Sequence, residues 1–389
     1  MTDNSLFSII PYKGRLIKLD SPRRAIAYYR HHAVDLLTGT SYPHDFTQWI
    51  NENKKILLNA IEEKPRVIHL FYELSFLIEN DFQFLKDDNL LVLDLEFSSF
   101  QNISVGAYKK INLKEKKYPN LKDYKKAFEI GYQELLKGNC YQFNLTYPYL
   151  YSFDNHLSPF DFIFSLWRDL DSRGAYGSAT YIPLFKKLYL SNSPECLFQY
   201  KNNILSTMPI KGTLKRSDND DLKDLWRKLV NDKKSQAELF MISDLLRNDL
   251  SRIELPRAKI VKRKFPKLVP GLIHQCSQID VELGPTVSLW NVIDKIFPGG
   301  SITGAPKKRA INLIHSLEQR ERGFYCGSTL ILYQKMNSAS INIRSSVVDF
   351  SDSTLLYQAG GGITLKSEVK EEFLEMTYKR DSFIRTLTL

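Results

Sequence analysis

At 389 residues, with 43% hydrophobic and 12% aromatic side chains, the chain can bury a large core and lacks the composition of a disordered segment. Its formal charge of +10, from 54 Lys and Arg against 44 Asp and Glu, is scattered in short runs such as Lys109-Lys110, Lys186-Lys187 and Lys233-Lys234. No arginine-rich arm, zinc-ligand spacing or aromatic RNA-binding motif accompanies it, so the charge argues for anionic small molecules rather than nucleic acid.

No apolar run approaches the ~20 residues that a membrane helix needs, and Met1–Ser5 does not begin a signal sequence. Cys140, Cys196, Cys276 and Cys326 are far apart and form no CxxC pair, the pattern of reduced thiols in a cytoplasmic protein.

In chain order, alternating or apolar runs predict strands at Phe7–Ile10, Val67–Phe71 and Leu90–Leu95, with a helix over Asp45–Glu62. The lysine-rich stretch from Lys114 to Pro119 marks a boundary. Residues 1–113 then form an N-terminal segment that adds strands and helices to the sheet, and residues 118–387 form a catalytic domain. Within the latter, helices are predicted over Leu121–Leu136, Phe160–Leu170, Leu222–Leu250, Leu289–Ile296, Lys307–Gln319 and Glu368–Leu387. Strands are predicted at Tyr141–Tyr147, Thr180–Tyr181, Leu188–Leu190, Leu197–Tyr200, Gln278–Glu282, Cys326–Tyr333, Ala339–Val348 and Thr354–Ala359. Strands and helices without a regular βαβ rhythm imply an α+β (mixed α/β) class, with large antiparallel or mixed sheets flanked by helices.

The segment Pro209-Ile210-Lys211-Gly212-Thr213 puts a lysine in a restricted bend. Pro209 fixes its own φ, and Gly212 lets backbone or ligand come close. A lysine held this way becomes a nucleophile if its surroundings bring its pKa down from about 10.4; otherwise it is a solvent-facing turn residue.

Glu238 falls on the apolar stripe with Met241, Ile242 and Leu245. Glu372, Glu375 and Lys379 share one face of the last helix. These carboxylates either form ion pairs or jointly hold a hard cation such as Mg²⁺. Ala359-Gly360-Gly361-Gly362 follows a strand, and its free N–H groups can cradle an anion. The turn from Phe297 to Lys307 has glycines but no Gly-Lys-Ser/Thr, which excludes a nucleotide loop.

Taken in order, these segments resemble the chorismate-binding enzyme family over roughly residues 118 to 385. The resemblance also rests on Gly138–Thr146, Ser193-Pro194-Glu195, Tyr325-Cys326-Gly327-Ser328 and Ile343-Arg344. It implies the family's fold, chorismate as substrate and Mg²⁺ as cofactor, with Glu238 and Glu375 as ligands and Glu372 nearby. It further implies Glu195 as general acid and His274 beside the ring, with Thr213 in the same catalytic set as Lys211. Tyr325, Arg344, Lys379, Gly360, Gly361, Gly362 and Gln142 would line the substrate.

Family members that add water carry a lysine where this chain has Gln142. Lys211 stands where the aminodeoxychorismate synthases carry lysine and the anthranilate synthases alanine. The resemblance therefore implies amination of chorismate at C4, toward 4-aminobenzoate and folate. Lys211 would act as a covalent nucleophile, with ammonia supplied by a separate glutamine amidotransferase. The family's tryptophan-binding signature is missing, Leu36-Leu37-Thr38-Gly39 lying where it is expected, so no feedback inhibition by tryptophan is expected. Ser235, one turn before Glu238, replaces an acid frequent in relatives.

Overall fold

A computed structural model describes residues 5–59, 64–217, 220–255, 257–269, 272–334 and 337–388. Met1–Asn4 and the end of the helix expected over Asp45–Glu62 lie outside the described residues. Within them, that helix runs over Phe46–Asn53, started by Asp45, whose carboxylate accepts from the Thr47 N–H.

Every strand pairing among the described residues is antiparallel. From Gln142–Ser152, successive partners are Thr354–Ile363, Ser345–Asp349, Lys187–Ser191, Ser178–Ile182, Phe7–Tyr12 and Arg15–Tyr28. The path continues through Val92–Ile103, Arg66–Leu70, Ser328–Leu332, Asn337–Ile341, Cys196–Lys201, Ile204–Thr207 and Leu272–Glu282. The N-terminal strands are thus threaded into the middle of the path, hydrogen-bonded on both sides to strands from beyond residue 177. Apolar side chains from sheet and helices fill the interior, with Trp49, Trp167, Phe143 and Phe198 fully buried.

Three expected elements differ in ways that shape the cleft. The helix predicted over Leu222–Leu250 is two helices, Leu222–Asn231 and Lys233–Leu250. Asp232 leaves helical geometry between them, and its carboxylate caps the second by accepting from the Ser235 N–H. The strand predicted over Ala339–Val348 breaks at Asn342–Arg344, where Arg344 takes a left-handed φ of +52°. The strand expected over Thr354–Ala359 runs on to Ile363, so the glycines expected to follow it lie inside it, with Gly360, Gly361 and Gly362 opposite Thr146, Leu145 and Asn144. All four cysteines are buried and free. No helix among the described residues is long and apolar enough to cross a membrane.

His69 lies fully buried in strand Arg66–Leu70, between the hydroxyls of Thr329 at 2.9 Å and Thr180 at 2.8 Å. Burial pushes its pKa down to about 3, so the fold holds the imidazole neutral. Below about pH 6.5 the unfolded chain binds a proton that the folded chain refuses. Stability is therefore full above that pH and declines by roughly 1.4 kcal/mol per pH unit as the pH falls toward the folded value. Urea midpoints between pH 7 and 4 should show a shallower acid slope for His69→Gln than for the unaltered chain.

Candidate active site

Lys211 owes its aim to a break in strand register. Ile210 pairs with Cys276 and Thr213 with His274, so strand Ile210–Lys215 carries one extra residue over this step. Such a bulge redirects a side chain. Here it spans Lys211 and Gly212, the latter at φ +84°, a conformation that glycine adopts freely. A Cβ on Gly212 would meet Ser235 Cβ at 3.1 Å and Leu229 Cδ2 at 3.3 Å. Gly212 thus lets helix Lys233–Leu250 approach the lysine.

That approach puts Lys211 Nζ 3.8 Å from Glu238 Oε2, each side chain 25% exposed. Ser235, one turn before Glu238, is what Gly212 packs against. Two residues beyond Lys211, Thr213 Oγ1 lies 2.8 Å from Nδ1 of His274 on the neighbouring strand. Burial first, then the charge of Lys267, pulls the His274 pKa below its ordinary value. The imidazole is therefore neutral near pH 7.

A second group gathers around the C-terminal helix Val369–Thr388. Lys379 Nζ sits 2.7 Å from Glu375 Oε1 and donates to the Gly360 carbonyl at 2.9 Å. Arg344 donates to the Lys379 carbonyl at 3.4 Å, and the Tyr357 hydroxyl donates to the same oxygen at 3.1 Å. Glu372 is only 4% exposed, and a Cβ on Gly361 would stand 3.2 Å from its Oε2 and 3.8 Å from Lys379 Nζ. A Cβ on Gly362 would come within 2.6 Å of Gln142 Nε2.

The glycine strand thus presents no side chain to Glu372 and Lys379 at Gly361 or, on its other face, to Gln142 at Gly362. Ser345–Asp349 pairs with it from Thr354 only as far as Tyr357, and the Gly360 carbonyl accepts from Lys379.

Glu195, half-buried, is positioned by its backbone: its N–H donates to Ser193 Oγ at 3.1 Å and its carbonyl accepts from the Ile341 N–H at 3.0 Å. Tyr325 is buried, which pushes its phenol pKa well up and keeps it protonated.

Among the described residues, no three His, Cys, Asp or Glu side chains are arranged as a metal site. Glu238 has Lys211 beside it, and Glu375 has Lys379. The donors of Glu238, Glu372 and Glu375 are all carboxylate oxygens, the chemistry that suits Mg²⁺. The open face of Gly361 leaves room above Glu372 that a Cβ would fill.

The sequence motifs single out Gln142 but not the two polar residues that share its face. Gln142, Asn144 and Thr146 alternate along one strand, so they share a face. All three are buried, and neither Gln142 Nε2 nor Asn144 Oδ1 has a hydrogen-bond partner. The period-two polar pattern inside an otherwise apolar strand was the available signal. The Phe297–Lys307 turn serves packing. Its short helix Gly300–Thr303 lies so close to Leu245 that a Cβ on Gly300 would be 2.4 Å from Leu245 Cδ2.

Comparison with known proteins converges on the same segments. The model of a family described as chorismate binding enzyme matches residues 98–385. Aminodeoxychorismate synthase component 1 of Salmonella typhimurium is 34% identical over 270 residues, covering 68% of this chain and 57% of that protein. Anthranilate synthase component 1 of Archaeoglobus fulgidus is 31% identical over 268 residues, covering 68% of this chain and 62% of that protein. Each alignment thus spans less than two thirds of the relative. In structure, anthranilate synthase component I from Streptococcus pneumoniae superposes with a TM-score of 0.76 at 20% identity, covering 96% of this chain and 93% of that one, a likeness of fold.

Proposed function

This chain belongs to the chorismate-binding enzyme family, and from that premise we propose that it replaces the C4 hydroxyl of chorismate with an amine. The product would be 4-amino-4-deoxychorismate, on the route to 4-aminobenzoate and folate. The observation that carries the reading is the bulge that turns Lys211 inward onto Glu238, half-buried rather than free in solvent. A lysine serving only as a surface turn has no need of that aim.

In this scheme Lys211, as the free amine, bonds through the Nζ electron pair to C2 of the ring as the C4–O bond breaks, and Glu195 gives the departing oxygen its proton, so that water leaves. Ammonia then bonds to C4, the C2–N bond breaks, and its electron pair returns to Lys211. Two displacements retain the stereochemistry that a single one would invert. Arg344 and Lys379 bind the substrate's carboxylates, a fork of donors suiting one and a point charge the other. Buried Tyr325 donates a hydrogen bond to the substrate, and the neutral imidazole of His274 is held in place by Thr213.

Glu238, Glu375 and Glu372 would hold Mg²⁺, which offsets the charge of the ring carboxylate. Binding it requires Lys211 and Lys379 to give up their present partners. Ammonia would come from a separate glutamine amidotransferase, free ammonium replacing it in vitro.

The test is incubation with chorismate, Mg²⁺ and ammonium, followed by mass spectrometry of the small molecules. A product that retains the enolpyruvyl group and has gained an amine supports the reading. The similarity to the Archaeoglobus protein favours a second reading, an anthranilate synthase component. In that case a fluorescent product lacking the enolpyruvyl group would form instead, and the C4 assignment would fall.

A further inference from the structure

We infer that the buried pair Arg322–Glu318 is a positioning device for the reaction, holding the strand that carries Gln142 against the short helix and the glycine strand. The inference rests on the reading of this cleft as the active site. Arg322 and Glu318 side chains are each 1% exposed, and the guanidinium grips the carboxylate through Nε at 3.0 Å and Nη2 at 2.8 Å. A buried pair of this kind is poor evidence of stability, because desolvation offsets much of the attraction. What distinguishes it is where its remaining contacts go.

Arg322 Nη1 donates to the Ile302 carbonyl at 2.9 Å, and Nη2 donates to the Asn144 carbonyl at 2.8 Å. These oxygens flank Gln142 on two sides. Ile302 lies just ahead of Gly304–Ala305, which pairs with Phe143 and Gln142, and Asn144 lies two residues beyond Gln142. The fit there is close enough that a Cβ on Gly304 would be 2.1 Å from the Gln142 carbonyl oxygen.

Glu318 accepts from both the N–H and the hydroxyl of Thr146, at 2.9 Å each, and Thr146 stands opposite Gly360. The Arg322 carbonyl accepts from Gln358 Nε2 at 2.8 Å, two residues before Gly360. On the other side, the Glu73 carboxylate receives the Arg322 N–H at 2.9 Å and that of Gly323 at 3.1 Å. This fixes the backbone three residues before Tyr325. The ion pair thus sets the mutual placement of Gln142 and Gly360 through the Ile302, Asn144 and Thr146 backbone, while the Arg322 backbone, held by Glu73, leads into Tyr325. Only a planar fork of donors reaches two carbonyls and a carboxylate at once; lysine lacks that geometry.

The chain contains its own control. Arg66 and Asp94, with side chains 7% and 0% exposed, form an equally bidentate pair at 2.8 and 2.7 Å, braced by Trp49 and Asn53. None of those partners belongs to the candidate site.

The experiment measures chorismate consumption, whatever the product, for Arg322→Lys, Arg66→Lys and the double variant Glu318→Gln/Arg322→Met. Assays run at a temperature where circular dichroism shows each to be folded. The double variant removes both fully buried charges together and leaves only Arg320, 22% exposed, without its carboxylate partner, so it keeps the test open if Arg322→Lys fails to fold. For whichever Arg322 variant folds, kcat should fall about tenfold or more with little change in KM for chorismate, the signature of misplaced reacting groups. Arg66→Lys should lose stability but keep both constants. An Arg322 variant that folds and turns over like Arg66→Lys overturns the inference while leaving the reading of the cleft intact. An unaltered chain that leaves chorismate untouched overturns both.

Discussion

Replacing Lys211 with alanine should lower the amination of chorismate by about two orders of magnitude or more, in the range that a positioned acid, base or nucleophile typically contributes. Folding should barely change. The lysine side chain is a quarter exposed, and its ion partner Glu238 is equally so, which makes their attraction a small term in stability. Glu238 should remain in place because it sits on a helix whose buried residues include Leu239, Ile242 and Leu246. Initial rates with ammonium as nitrogen source, set beside melting curves of both proteins, separate the two effects. If the alanine variant makes aminodeoxychorismate at the unaltered rate, the covalent route through Lys211 is wrong, whatever the product of the native chain.

The second large effect concerns Gly360. A Cβ there would lie 2.2 Å from the Leu145 carbonyl oxygen and 2.7 Å from Thr146 Cα, both backbone atoms of the paired strand. Neither can swing away, so Gly360→Ala must part the two strands. Overpacking of this kind costs roughly 1–3 kcal/mol, occasionally more. Gly361→Ala provides the contrast. Its new methyl meets the end of the Glu372 side chain at 3.2 Å, so the conflict falls on a carboxylate rather than on the sheet.

Urea midpoints should therefore rank the unaltered chain above Gly361→Ala, and Gly361→Ala above Gly360→Ala. Activity should be damaged by Gly361→Ala out of proportion to its loss of stability, because the space it fills lies between Glu372 and Lys379. Equal midpoints for the two variants would show that the strands adjust to a side chain at Gly360.

Most expected elements were of the right type, but the long strands Arg15–Tyr28 and Lys259–Val269 were not expected, and boundaries failed where a side chain competes with the backbone pattern. Hydrophobic periodicity continues across Asp232, so one helix was expected over Leu222–Leu250. The Asp232 carboxylate stops it by capping the next helix. The run from Ala339 to Val348 alternates like one strand, yet a left-handed Arg344 divides it. The strand expected to end at Ala359 continues through three glycines, which the close approach of strand Gln142–Ser152 demands.

Candidate groups were legible one by one, while their partners were not. Glu375–Lys379 was readable as a helical i,i+4 pair. Lys211–Glu238 joins a strand to a helix more than twenty residues away and depends on a one-residue bulge that no local pattern announces. The same holds for Arg322, whose reach to Ile302 and Asn144 no local pattern announces.

The sequence by itself determined the α+β class, the ordered segments that mark the family, and the residue types available for chemistry, because periodicity and motif spacing are properties of the chain. Only the tertiary structure decided which of those residues face one another. Strand register, a single bulge and the closeness that glycine permits are set by packing between segments far apart in sequence, and no local preference encodes them.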